Sequence, residues 1–200
     1  MREHQHLLVG AVVIAFVSSF CFLGYLIYTW PIKHPVPLHE LLVDPYVFPP
    51  GWEVRFRGDR DWEFIPERAV REDYWAAEGV MRAFEDKKSN SYVWHRILRY
   101  RNEIQAEEAF LLDLPGGFSG PSWYIPEGWI YRSSSANRFR FACTFVAARG
   151  QFLCSAMARY REIISILSFY QNELQLDRLT EIEEILSSVD RKMERILKLK

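Results

Sequence analysis

The chain has 200 residues, with 25 Lys plus Arg against 26 Asp plus Glu and 16% aromatic residues. So even a charge balance lacks the basic excess that phosphate backbones require, and nucleic acid is not an expected partner. It also excludes long-range steering of charged substrates, while the aromatic content suits a β-containing core or an apolar docking surface.

After a six-residue tail (1–6) comes Leu7–Trp30, a run of 24 residues without a charged side chain. As a helix it would reach roughly 36 Å, enough to cross the hydrocarbon core with some tilt. The run is too long for a secretory h-region and no small-residue cleavage site follows it. Lipid attachment at Cys21 is disfavoured by the bulky Phe20 directly before it. The expectation is a single uncleaved transmembrane helix. Tyr25, Tyr28 and Trp30 would lie at its membrane–water interface, where amphipathic rings concentrate. Arg2 ahead of the span gives a slight positive-inside bias. The expected arrangement is therefore a signal anchor in the cell membrane, with the domain on the extracytoplasmic side.

Residues 31–50 carry many prolines, which favour extended geometry and forbid a long helix. They read as a linker that lifts the following domain (51–200) off the membrane or lies along a partner. Trp52–Phe56 is expected as a short strand. Trp75–Glu85 and Tyr92–Arg101 flank the polar loop 86–90 and read as a β-hairpin. In the second strand the pattern groups Val93, His95, Ile97, Arg99 and Arg101 on one face. His95 is expected on a charged, solvated surface. Asn102 with Gln105 three residues on reads as a capping box for a helix running to Leu112 or Leu114.

Phe139, Phe141, Cys143 and Phe145 alternate with polar residues. Phe152, Cys154, Ala156, Ala158 and Tyr160 alternate back after a turn at residues 148–150. Ile163–Tyr170 would extend this strand past a bend or form another. The final element is a helix whose Leu179, Ile182, Leu186, Val189, Met193 and Ile196 recur at spacings of three and four. Acidic residues lie early and basic residues late, as the helix dipole favours. It is expected to pack on the sheet rather than enter a coiled coil, since only three heptads are present. The fold class predicted is α+β: an antiparallel sheet packed by helices, behind one N-terminal transmembrane helix.

Few groups carry chemistry. The five histidines have no metal-ligand spacing, and no C-x-x-C, Walker A, G-x-S-x-G or G-x-G-x-x-G motif occurs. No catalytic, metal or cofactor site is expected. With a two-residue turn Cys143 and Cys154 would share a face and could form a disulfide. A turn one residue different would put them on opposite faces as small buried hydrophobes. Trp123, Tyr124 and Trp129 lie in an irregular Gly- and Pro-rich region, and are candidates for docking onto a partner.

Leu41–Trp52 (LLVDPYVFPPGW) resembles the L-P-P-G-W opening of small extracytoplasmic domains in bacterial lipoproteins and single-pass proteins, notably of filamentous phototrophs. The Cys143 strand, Cys154 followed by Ala158-Arg159-Tyr160, and the helix with Val189-Asp190-Arg191 are similar to later parts of the same domains. These are similar in outline to the PsbP/Mog1-like α/β sandwich. The resemblance implies an accessory or binding role and no shared active site. The departure is an uncleaved anchor in place of a lipid-attached cysteine. The expected function is a non-catalytic accessory subunit of a larger membrane complex, such as an electron-transfer assembly. Its expected partners are the other subunits and the lipid bilayer. The competing expectation is a membrane-tethered ligand-binding or sensor module.

Overall fold

The computed structural model describes residues 17–24, 36–55, 60–72, 74–114, 118, 122–173 and 176–199. Within the expected span, residues 17–24 are helical, and the apolar Val17, Phe20, Phe22 and Leu23 are exposed. The rest of Leu7–Trp30, including Tyr25, Tyr28 and Trp30, lies outside the described residues. Among the described residues no helix is long and apolar enough to cross a membrane.

In chain order the domain comprises β1 (Glu53–Val54), β2 (Glu63–Phe64), α1 (Glu67–Glu72), β3 (Glu78–Asp86), β4 (Ser91–Arg99), α2 (Glu103–Leu111), β5 (Arg138–Val146), β6 (Gln151–Tyr160), β7 (Ile163–Gln171) and α3 (Leu176–Leu197). It is an α+β fold built on one seven-stranded antiparallel sheet. The strand order is β1-β3-β4-β7-β6-β5, with β2 also paired to β3. The apolar run at 163–170 is a strand of its own. It lies between β4 and β6, buried on both faces, which is why it reads as continuous hydrophobicity rather than alternation.

The two sheet faces make two cores. On one face α3 lays Leu179, Ile182, Leu186, Val189 and Met193 over Phe84, Val93, Ile97, Phe141 and Leu167. The opposite face packs Leu98, Tyr100, Met157, Ile164 and Ile166 against α1 and α2 through Val70, Ala106, Ala109 and Phe110. Gly79 permits the closest approach here. A Cβ on it would lie 2.8 Å from a Leu98 methyl and 3.0 Å from one on Ile65. The cap on α2 is as the sequence suggests: Asn102 Oδ1 accepts from the Gln105 backbone N–H at 2.9 Å, and Gln105 reaches back to the Arg101 N–H.

β3 begins at Glu78, later than the sequence suggests. Trp75 has φ 55, and the Ala76 N–H turns back to the Val70 carbonyl, so the chain cannot enter the ladder before it.

The largest departure concerns residues 31–50. From Val36 onward this stretch is not a free linker. Leu38, Leu41, Leu42, Val43 and Phe48 are all buried in the α3-side core. Two 3-10 turns, Leu38–Leu41 and Pro45–Val47, shape it into a strap lying between α3 and the sheet. Prolines that forbid a long helix still allow such turns, and each buried aliphatic side chain contributes about 1.5–3 kcal/mol.

Cys143 and Cys154 face each other in the β5–β6 register and are joined by a disulfide, with their side chains fully buried. Replacing both by alanine is expected to cost about 2–3 kcal/mol, chiefly by freeing the unfolded chain. Urea unfolding of the oxidised parent against the double variant measures this; equal midpoints would contradict it.

Candidate functional site

The chemically distinctive side chains fall into two buried polar nodes on the α3 side of the sheet. The first fastens the strap. β4 and β3 bring His95 and Arg82 opposite one another. His95 Nδ1 accepts the Val43 backbone N–H at 2.8 Å, so the neutral ring carries its proton on Nε2 and donates it to Ser165 Oγ at 2.9 Å. Arg82 Nη1 donates to the Val43 carbonyl at 2.7 Å, Nε donates to the Asp61 carbonyl, and Nη2 pairs with the Asp61 carboxylate. From α3, Lys192 Nζ donates to the Leu42 carbonyl and to Asp44 Oδ1, both at 2.7 Å. Arg99 closes the lower end by donating to the Val36 carbonyl.

His95 was expected on a solvated, charged surface; it is instead wholly buried. Its neighbours two residues away on β4, Val93 and Ile97, are core residues, and that local alternation outweighs the arginines beyond. Burial, with the Arg82 and Lys192 cations adding to it, lowers its pKa to about 3, so the ring is neutral at ordinary pH.

The second node is Asp190 on α3. Its carboxylate accepts from four donors: the Tyr131 hydroxyl (2.5 Å), Ser133 Oγ (2.7 Å), the Ser134 N–H (3.2 Å) and the Tyr160 hydroxyl. Burial, and next the carboxylate, push both phenols well above their ordinary pKa. Nothing in the sequence analysis singled out Asp190. The signal was available: it lies four residues after Leu186 and three before Met193, on the helix face that is otherwise apolar. A second buried acid, Glu162 in the β6–β7 turn, has neither carboxylate oxygen hydrogen-bonded among the described residues.

The three expected docking aromatics separate. Trp129 stacks on Phe141 with ring centroids 3.5 Å apart and touches Tyr131, so it belongs to the core margin rather than to a free surface. Trp123 is half-buried beside Phe118. Only Tyr124, 44% exposed, faces outward, while its backbone exchanges two hydrogen bonds with Cys143 on the outer edge of β5. Exposed Ile125 and Ile130 lie in the same connection.

The larger clefts are surface features. One of about 570 Å³ lies between Tyr46, Val47, Tyr131 and the α3 residues Glu183, Glu184, Ser187 and Arg191. A smaller one of about 120 Å³, lined by Arg55, Asp61, Trp62, Arg82 and Trp94, flanks the strap anchor. Among the described residues no group of three or more His, Cys, Asp or Glu is placed to hold a metal ion.

No protein-family model matches this chain, and no curated protein matches it either. Two solved structures are similar in outline. One is the extracellular domain of PknH from Mycobacterium tuberculosis, at 11% identity and a TM-score of 0.47, with 82% of this chain and 99% of that one covered. The other is an uncharacterised protein from Mycobacterium smegmatis, at 12% identity and a TM-score of 0.35, covering 74% and 91%. At these values neither likeness bears on function.

Proposed function

We propose that this chain is a non-catalytic, single-pass membrane subunit. Leu7–Trp30 anchors it, and the α+β domain is held in a fixed pose beside larger neighbours in a membrane complex. The observation that carries this reading is the strap. From Val36 onward the chain is not a swinging tether, because Leu38, Leu41 and Leu42 are buried and both faces of the strap are fastened by Arg99, Arg82, His95 and Lys192. A segment fastened to the sheet in this way suits a subunit that clamps or spaces its neighbours. The exposed apolar side chains of residues 17–24 support a surrounding of lipid or partner helices.

The buried titratable groups also support a structural role. His95 and Asp190 have their polar atoms occupied by backbone and hydroxyl partners, as structural groups do. The buried disulfide supports an oxidising, extracytoplasmic location for the domain.

Two measurements on source membranes test this. The chain should resist alkaline carbonate extraction, and in mild detergent it should migrate in a particle well above its own 23.7 kDa. Release by carbonate, or migration as a lone monomer, overturns the proposal.

A further inference from the structure

The strap enters the domain at one particular end of the sheet. Val36 is tied to Arg99, at the end where β4 finishes, β7 begins and the β6–β7 turn lies. From Val36 the strap climbs the sheet past His95 to Phe48, which stacks on Phe84 near the far hairpin. α3 runs the opposite way. It starts after β7 at the far end, passes Tyr160 at Asp190 and finishes at the Val36 end. Only five residues separate Trp30 from Val36, so at full extension the two are about 20 Å apart at most. With Trp30 at the interface, the headgroup layer would take up about 5–8 Å of that reach.

The end so placed has unusual side chains on unusual backbone. Five non-glycine residues among those described have positive φ. Two, Asn90 and Asp113, are types that tolerate it, and Lys198 closes α3 in an ordinary Schellman turn, with the Leu199 N–H on the Glu194 carbonyl. The other two are Trp75 (φ 55) and Arg161 (φ 57), for which the left-handed region is strained.

The surroundings hold both. Trp75 is bracketed by Tyr74, whose carbonyl accepts from the Tyr100 hydroxyl, and by Ala76 bonded to Val70. At Arg161 the backbone N–H donates to Asn137 Oδ1, and its carbonyl accepts from Arg159. The result is a tryptophan side chain 63% exposed and an arginine carried on the turn.

The charges at this end sort the same way. Glu78 pairs with Arg99, and Glu107 pairs with Arg138 and Arg159. Arg101, Arg161 and Lys198 make no ion pair among the described residues, against the exposed carboxylates Glu103 and Glu194 and the buried carboxyl of Glu162 next to Arg161. Guanidinium groups bind phosphate oxygens in a fork, and indole partitions to the headgroup level.

We propose that the sheet end bearing Trp75, Arg101, Arg161 and Lys198 rests on anionic phospholipid headgroups of the bilayer that holds Leu7–Trp30. This rests on the anchor reading above. It adds a second membrane contact that sets the tilt of the domain.

The test uses the full chain in nanodiscs of phosphatidylcholine alone or with phosphatidylglycerol, followed by amide hydrogen exchange. Residues 74–77, 100–102 and 161–162 should exchange at least about fivefold more slowly with the anionic lipid, the effect of roughly one basic contact. The R101Q/R161Q/K198Q triple variant should lose that difference while melting like the parent in detergent. Equal exchange in the two lipids, a difference that survives in the triple variant, or protection at the far hairpin 87–90 instead would each overturn the inference. Release of the chain by alkaline carbonate would remove the anchor reading as well. Retention without lipid-dependent protection removes only this inference.

Discussion

Asp190→Ala is expected to be among the most damaging single substitutions in the domain, lowering stability by about 3–5 kcal/mol. The carboxylate is buried on the inner face of α3, and its four donors come from two separate places, the 131–134 segment and β6. Removing it strands the Tyr160 and Tyr131 hydroxyls where water does not reach the former, and each buried unpaired hydroxyl costs about 1–3 kcal/mol. For a domain of this size that corresponds to a fall of roughly 10 °C in Tm. Asp190→Asn keeps one acceptor oxygen and nearly the same volume, so it should cost less, about 1–3 kcal/mol. Thermal and urea unfolding of the two variants give the comparison. A loss below about 1 kcal/mol for Asp190→Ala would mean that the node does not hold α3 in place.

The second large effect is acid sensitivity centred on His95. Its folded-state pKa lies at about 3, below the ordinary 6.5. Between these values the unfolded chain binds a proton that the folded chain does not. The stabilisation is therefore complete above about pH 6.5 and is lost as pH falls toward 3, at up to about 1.4 kcal/mol per pH unit. Near pH 5 the loss is about 2 kcal/mol.

The cause is concrete. A second proton would have to go onto Nδ1, the atom that accepts from Val43, in a pocket already flanked by Arg82 and Lys192. His95→Asn can keep an acceptor near Nδ1 without titrating. It should start less stable at neutral pH and lose the slope between pH 6.5 and 3. If the variant keeps the parent's slope, the sensitivity comes from the carboxylates instead.

Much of the architecture was legible because particular patterns have one physical reading. The Asn102–Gln105 spacing marks a helix start wherever it follows a strand, and the three–four stripe from Leu179 to Met193 can bury only one face. The β5–β6 hairpin followed from alternation, although the disulfide depended on a turn length the sequence leaves open.

The strap was not legible. Proline density says what the backbone cannot do, and whether Leu38 and Leu41 find a core is decided by α3, about 150 residues away. His95 and Asp190 were missed for a related reason. A polar residue inside an apolar pattern signals burial only once its partners are known, and those partners lie on other elements. Trp129 reads from the sequence as a docking candidate because it lies in an irregular segment, whereas Phe141 supplies a stacking partner from β5.

The contact of Lys192 with Leu42 and Asp44 spans 150 and 148 positions along the polypeptide. Ribosomal synthesis delivers the strap about 150 residues before its fastener, so the α3-side core cannot assemble until α3 has been made. The nascent sheet must wait with one face uncovered, a long-range closure that slows folding and invites chaperones or neighbouring chains to shield it. A ribosome that stalled before α3 would leave an open, adhesive sheet, which quality-control proteases would be well placed to recognise.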